Sequence, residues 1–159
     1  AVTSPINYDP IIAEIIAQNL DKPERKSSIF LLAHGPVSEE DNKKWLLDLE
    51  KYSRYFSLKF PESSFFGLTF RDDAPEPIRD LAIQKIRDVV KKETSLGRKI
   101  IIAPLLLSRG GREMEIRKIL AECQCEIIPH TILPHPNVST WIERQVKRGI
   151  LYLTISKQK

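Results

Sequence analysis

The chain has 159 residues, 42% hydrophobic and 29% charged, and its 25 Lys and Arg against 21 Asp and Glu leave a net charge of +4 at pH 7. That is one domain of chain, long enough to bury roughly two thirds of the surface its unfolded form exposes, and the composition excludes disordered and collagen-like classes. The longest apolar run, Ile100 to Leu107, falls far short of the roughly 20 residues that cross a bilayer, so no membrane partner is expected.

In chain order, Ile11, Ile12, Ile15, Ile16 and Leu20 recur at helical spacing behind Asp9-Pro10, a cap followed by the proline favoured at a first helical position, and predict a helix over 10–20. After a polar linker, Ile29 to Ala33 is a continuous apolar run closed by His34-Gly35-Pro36, the pattern of a strand buried on both faces. Ser38 with Asp41 three residues on resembles a capping box. It opens a helix with Trp45, Leu46, Leu49, Tyr52 and Phe56 on one stripe, read as core. Phe65 to Phe70 reads as the second strand, closed by Arg71-Asp72-Asp73-Ala74-Pro75, and Ile78, Leu81, Ala82, Ile86 and Val89 mark a helix that stops near Gly97. Ile100 to Leu107 is the third strand, with a bulge or break expected at Pro104, which lacks a ladder donor. Ser108-Arg109-Gly110-Gly111-Arg112 then leads into a helix through Ile116, Ile119 and Leu120. Glu126 to Ile128 is a fourth strand, His135-Pro136 opens a last helix through Val138, Trp141, Ile142 and Val146, and Ile150 to Ile155 is expected to add an edge strand.

A helix followed by four βα units predicts an α/β fold: an open, mostly parallel sheet of four to five strands with helices on both faces, in flavodoxin-like layering. The Pro-initiated helix at Asp9-Pro10 is echoed by the one at His135-Pro136. This divides the chain into residues 1–27, a helix and linker that resemble the tail of a preceding lobe, and 28–159, the α/β domain. The chain opens on Ala1 and its sole methionine is Met114, so the native start is expected upstream or processed away. Basic pairs such as Lys43-Lys44, Lys91-Lys92 and Arg117-Lys118 sit among acids on helical stretches, a solvated face that predicts no nucleic-acid partner. Cys123 and Cys125 lack the second pair of a zinc site and read as reduced thiols, which with the absence of a signal-peptide pattern points to the cytoplasm.

Ligands of open α/β sheets bind beyond the carboxyl ends of the strands. Those ends carry His34-Gly35, Arg71-Asp72-Asp73, Ser108 to Arg112, and His130. Neutral imidazole makes His34 a candidate metal ligand and proton acceptor. Ser108, Arg109, Gly110, Gly111 and Arg112 combine helix N-terminal amides with two guanidinium groups and, with Arg71, are candidate anion binders. The loop matches neither a Walker motif nor a dinucleotide fingerprint, so no nucleotide cofactor is expected. Asp72 and Asp73 suit a cation or a base, with capping of the following helix the preferred reading. His130 and His135 fit no standard helix-borne metal pair.

Leu31-Leu32-Ala33-His34-Gly35, the run Ile102 to Gly110 and the His135-Pro136 opening together resemble the class II chelatases, in particular the sirohydrochlorin cobaltochelatase and ferrochelatase (CbiX-like) group. The resemblance covers residues 29 to 149. It implies a lyase of siroheme or cobalamin biosynthesis that inserts a divalent metal, cobalt or iron, into an anionic tetrapyrrole held between two α/β lobes, from one long chain or a homodimer. His34 matches the histidine that binds metal and takes pyrrole protons. The family's second metal-binding histidine falls at Arg112, whose guanidinium has no lone pair to donate. The resemblance therefore leaves the second ligand to Glu113, Glu115, His130 or another lobe. The alternative is a non-catalytic lobe that binds metal, an anion or a partner lobe.

Overall fold

The computed structural model describes residues 8–20, 23–24 and 26–156. Its elements are α1 (Pro10–Asn19), β1 (Ser27–Ala33), α2 (Glu39–Lys59), β2 (Ser64–Thr69), α3 (Glu76–Ser95), β3 (Lys99–Pro104), α4 (Gly111–Ile119), β4 (Glu126–Ile127) and α5 (Pro136–Ser156). Part of the expected N-terminal segment 1–27 lies outside the described residues. The part inside shows α1 capped as its sequence predicts, the Asp9 carboxylate accepting from the Ile11 amide at 2.8 Å, with Ile12 and Ile15 fully buried.

The four strands form one all-parallel sheet in the order β2-β1-β3-β4. β1 is central and wholly buried, which is why its sequence is continuously apolar rather than alternating. Its residues divide by parity. Ile29, Leu31 and Ala33 face a core made with α1, Leu49, Tyr52 and Phe56 of α2, and Val138 of α5. Phe30 and Leu32 face a second core made with Ile86 and Val90 of α3 and Ile116 and Ile119 of α4. The chain leaves β1 to one side for β2, then crosses over it to β3 on the other, so the order reverses at the β1/β3 boundary. That boundary is where an open α/β sheet has its ligand crevice.

Three expectations need correction. No fifth strand forms at Ile150 to Ile155, because α5 runs on to Ser156. Ile142, Val146 and Ile150 repeat every four residues, and the helical period outweighs the β-branched composition of the tail. Trp45 is 43% exposed and not core, whereas Trp141 is half-buried against the α1/α2 core. The third strand does not run to Leu107: it ends at Pro104, so of the bulge or break expected there the break is what forms. The Ile102 carbonyl accepts from Ile128 and the Leu32 carbonyl accepts from Leu105, so even-numbered residues of β3 address β4, and Pro104 lies beyond the end of that short strand. Its missing donor interrupts no ladder.

Candidate functional site

The β1 and β2 ends stay paired past their strands, with the Phe70 amide donating to the Ala33 carbonyl at 3.1 Å and the Arg71 amide to the His34 carbonyl at 2.6 Å. This fixes the backbone of His34 and places its ring edge-on to Phe70, with centroids 5.6 Å apart. The chain then turns at Gly35, whose φ of 80° lies in the left-handed region. A Cβ there would come within 2.6 Å of the Thr69 Cβ, so glycine is required twice over.

Arg71, expected to bind an anion, is turned away from the crevice. It is 6% exposed, and its fork donates to the Pro36 carbonyl (Nε, 3.1 Å), the Val37 carbonyl (Nη2, 2.6 Å) and the Glu39 carboxylate (Nη1, 2.6 Å). Its donors close the loop after His34, so it serves as a clasp rather than a free cation.

Asp72 and Asp73 do not cap α3. The N-cap is Pro75, with no side-chain cap bond, and Pro77 in the first turn has no amide to satisfy. Both carboxylates turn to His34 instead. Its Nε2 lies 2.5 Å from Asp72 Oδ1 and 3.1 Å from Asp73 Oδ2. Nε2 and Oδ1 are both shielded from solvent and neither has a hydrogen-bond partner of proper geometry. Among the described residues, these three side chains form the group able to hold a metal ion, one ligand atom from each lying within 4.8 Å of the others. One imidazole and two carboxylates make a mixed nitrogen and oxygen donor set suited to exchangeable first-row divalent ions.

Arg112 closes the cluster from the β3 side. Its guanidinium pairs with Asp72 through Nη1 and with Asp73 Oδ2 through Nη2, the latter at 2.9 Å. Asp72, ahead of Asp73, holds the Arg112 pKa above even the usual arginine value. The remaining loop residues stand apart. Ser108, Gly110 and Gly111 are exposed, and Arg109 donates to the Pro129 carbonyl. Glu113 pairs with Arg117 and Glu115 with Lys118 along α4, and neither belongs to the metal-competent group, nor does the exposed His130. His135 accepts from the Asn137 amide at the start of α5 and lies 2.8 Å from Gln18 Oε1 of α1, a structural position. The sequence offers Asp72 and Asp73 for a cation or a base but prefers them as helix caps, and the geometry takes the first of these. The stronger signal was Pro77, which removes an amide that a capping aspartate would serve.

No protein-family model matches the chain, and no curated protein does. Two solved structures share its fold. SirB from Bacillus subtilis with Fe3+ superposes with a TM-score of 0.62 at 18% identity, over 91% of this chain and 56% of that one. The sirohydrochlorin chelatase SirB from Bacillus subtilis subspecies spizizenii, in complex with cobalt, gives 0.58 at 15% identity, over 91% and 52%. The fold is therefore that of the chelatases the sequence resembles, and the chain spans about half the length of these neighbours.

Proposed function

We propose that this chain is a metal chelatase lobe that places a divalent ion, cobalt or iron, into an anionic tetrapyrrole of the sirohydrochlorin type. The observation that carries the reading is the convergence of His34 Nε2 with the Asp72 and Asp73 carboxylates at the carboxyl ends of β1 and β2, next to the boundary where the strand order reverses. Insertion needs a metal held loosely enough to be released and a base beside the macrocycle to take the pyrrole protons. A nitrogen and oxygen ligand set with an imidazole meets both needs. Arg112 and the exposed Ser108 to Gly111 loop suit the substrate's carboxylates, with Arg109 at their edge. A second lobe, from a longer chain or from a second copy, would cover the crevice, and α1 is the helix through which a preceding lobe would connect. The two free thiols, Cys123 and Cys125, fit a reducing cytoplasm.

The test is to mix folded protein with cobalt(II) and sirohydrochlorin and follow the absorbance change. The expected result is a rate above the uncatalysed one that falls by about 100-fold or more in His34→Ala, the usual scale for removing a positioned acid or base. No acceleration by the folded wild type, alone or with its partner lobe, overturns the reading.

The pairing of Arg112 with both aspartates favours a second reading, a non-catalytic lobe that binds an anionic ligand. It predicts that tetrapyrrole affinity survives His34→Ala and drops in Arg112→Ala. Calorimetry on the two variants checks these affinities, and the cobalt(II) insertion assay separates the readings, since only a chelatase has a turnover to lose in the first.

A further inference from the structure

We propose that Arg112 is an internal counter-cation that closes the His34, Asp72 and Asp73 ligands to metal until a carboxylate-bearing substrate draws its guanidinium away. Metal and anion binding are then positively coupled. The inference rests on the metal-site reading above and adds a property of Arg112 to it.

Its basis is competition for the same two carboxylates and, at Asp73, for the same oxygen. Asp73 Oδ2 lies 3.1 Å from His34 Nε2 and 2.9 Å from the guanidinium, and the two oxygens of Asp72 divide between the same neighbours. A dication bound by the three ligands would share its carboxylates with a permanent positive charge that cannot be relieved by deprotonation. Close like charges at the edge of a protein repel by kilocalories rather than tenths. The two therefore compete, and each weakens the hold of the other.

Arg112 is placed to be the one that leaves. Arg71 is held by two backbone carbonyls, and Arg109 by one, whereas the ion pairs of Arg112 among the described residues are with Asp72 and Asp73. Its side chain is 40% exposed. It rides on the second residue of α4, entered through Gly110 at φ 152°, a conformation essentially reserved for glycine, and a Cβ at Gly110 or Gly111 would meet nothing within 4 Å. An incoming carboxylate offers the guanidinium a bidentate pair in place of its separate contacts to Asp72 and Asp73, and the freed aspartates then take the metal. Because coupling between two ligands is reciprocal, bound metal would tighten the anion by the same factor.

The experiment is calorimetric titration of cobalt(II) into the wild type, Arg112→Gln, Arg112→Ala and His34→Ala, each shown by circular dichroism to be folded. Every titration is repeated with benzene-1,3,5-tricarboxylate, whose ring-spaced carboxylates chelate metal weakly. Removing a guanidinium that pairs with both carboxylates should tighten cobalt(II) by about tenfold or more in both Arg112 variants without any anion. The tricarboxylate should tighten cobalt(II) on the wild type and leave the Arg112 variants unmoved. If both variants bind cobalt(II) no better than the wild type while His34→Ala abolishes binding, the metal site stands and the counter-cation role is wrong. The role is equally overturned if the tricarboxylate fails to strengthen wild-type binding. If His34→Ala binds cobalt(II) like the wild type, the metal-site reading and this inference fall together.

Discussion

Arg71 and Arg112 show how little a residue's type says about its task. Both lie near strand ends, where a guanidinium suggests an anion, yet one is 6% exposed and spent on the protein's own loop. The difference lies in direction. Arg71 adopts a positive φ of 49° between β2 and its turn, a backbone state invisible in the residue names. Its fork satisfies two carbonyls and a carboxylate at once, a geometry that a lysine's single ammonium cannot reproduce. Arg71→Lys should therefore destabilise the fold by about 2–3 kcal/mol, the scale of charge-assisted hydrogen bonds lost by a buried guanidinium, seen as a lower urea midpoint at unchanged slope. Gly35→Ala combines a disfavoured φ with a 2.6 Å approach to Thr69, and a loss of about 3 kcal/mol is expected in the same assay. A loss of less than 1 kcal/mol in either variant would show that the loop after His34 relaxes freely.

At the level of elements, most of the fold was legible because local signals agreed. Asp9-Pro10 capped α1, Ser38 capped α2 through the Asp41 amide at 3.2 Å, and the unbroken apolarity of Ile29 to Ala33 marked the central strand. Legibility failed where two signals competed. The tail at Ile150 to Ile155 has strand composition but continues the period of α5, and Asp72 and Asp73 look like caps until their distance from His34 is known. Contacts between elements distant in sequence were equally hidden. Glu14 of α1 accepts from Tyr55 at 2.5 Å and from Lys59 at 2.8 Å on α2, and these bonds, Lys59 first, hold its pKa below the usual 4.5. A depressed carboxylate stabilises the fold above its unfolded pKa and loses that contribution as pH falls through the folded value. The stability gap between wild type and Glu14→Gln should thus be full near neutral pH and close below about pH 4.5, as denaturation midpoints against pH would reveal. The same contact raises the Tyr55 hydroxyl to about 12 from 10.0, chiefly through its bond to Glu14, so a second loss belongs between those values on the alkaline side. Tyr55→Phe should remove it. A gap for Glu14→Gln that is independent of pH would mean that the carboxylate is not what ties α1 to α2.

For the whole molecule, the reversal of strand order between β1 and β3 determines which residues can meet. His34 follows β1, Asp72 and Asp73 follow β2 beside it, and Arg112 follows β3 on the other flank, so two crossovers bring together groups up to 78 positions apart once these strands are paired. Such a site does not exist in the unfolded chain, and a ligand that binds it must stabilise the fold by RT ln(1 + [L]/Kd). At one hundred times Kd that is about 2.7 kcal/mol. For a domain of this size each kcal/mol moves Tm by roughly 2–4 °C, which gives an upward shift of roughly 5–10 °C for the wild type in saturating cobalt(II). His34→Ala should shift little, because the aspartates alone keep their pairing with Arg112. His130, His135 and the two thiols also bind metal in the unfolded chain and reduce the shift equally in both proteins, so the difference between the two melting curves isolates the folded site. Equal shifts would place the ion elsewhere on the surface. A shift confined to the wild type would tie cobalt(II) to the junction of β1, β2 and β3.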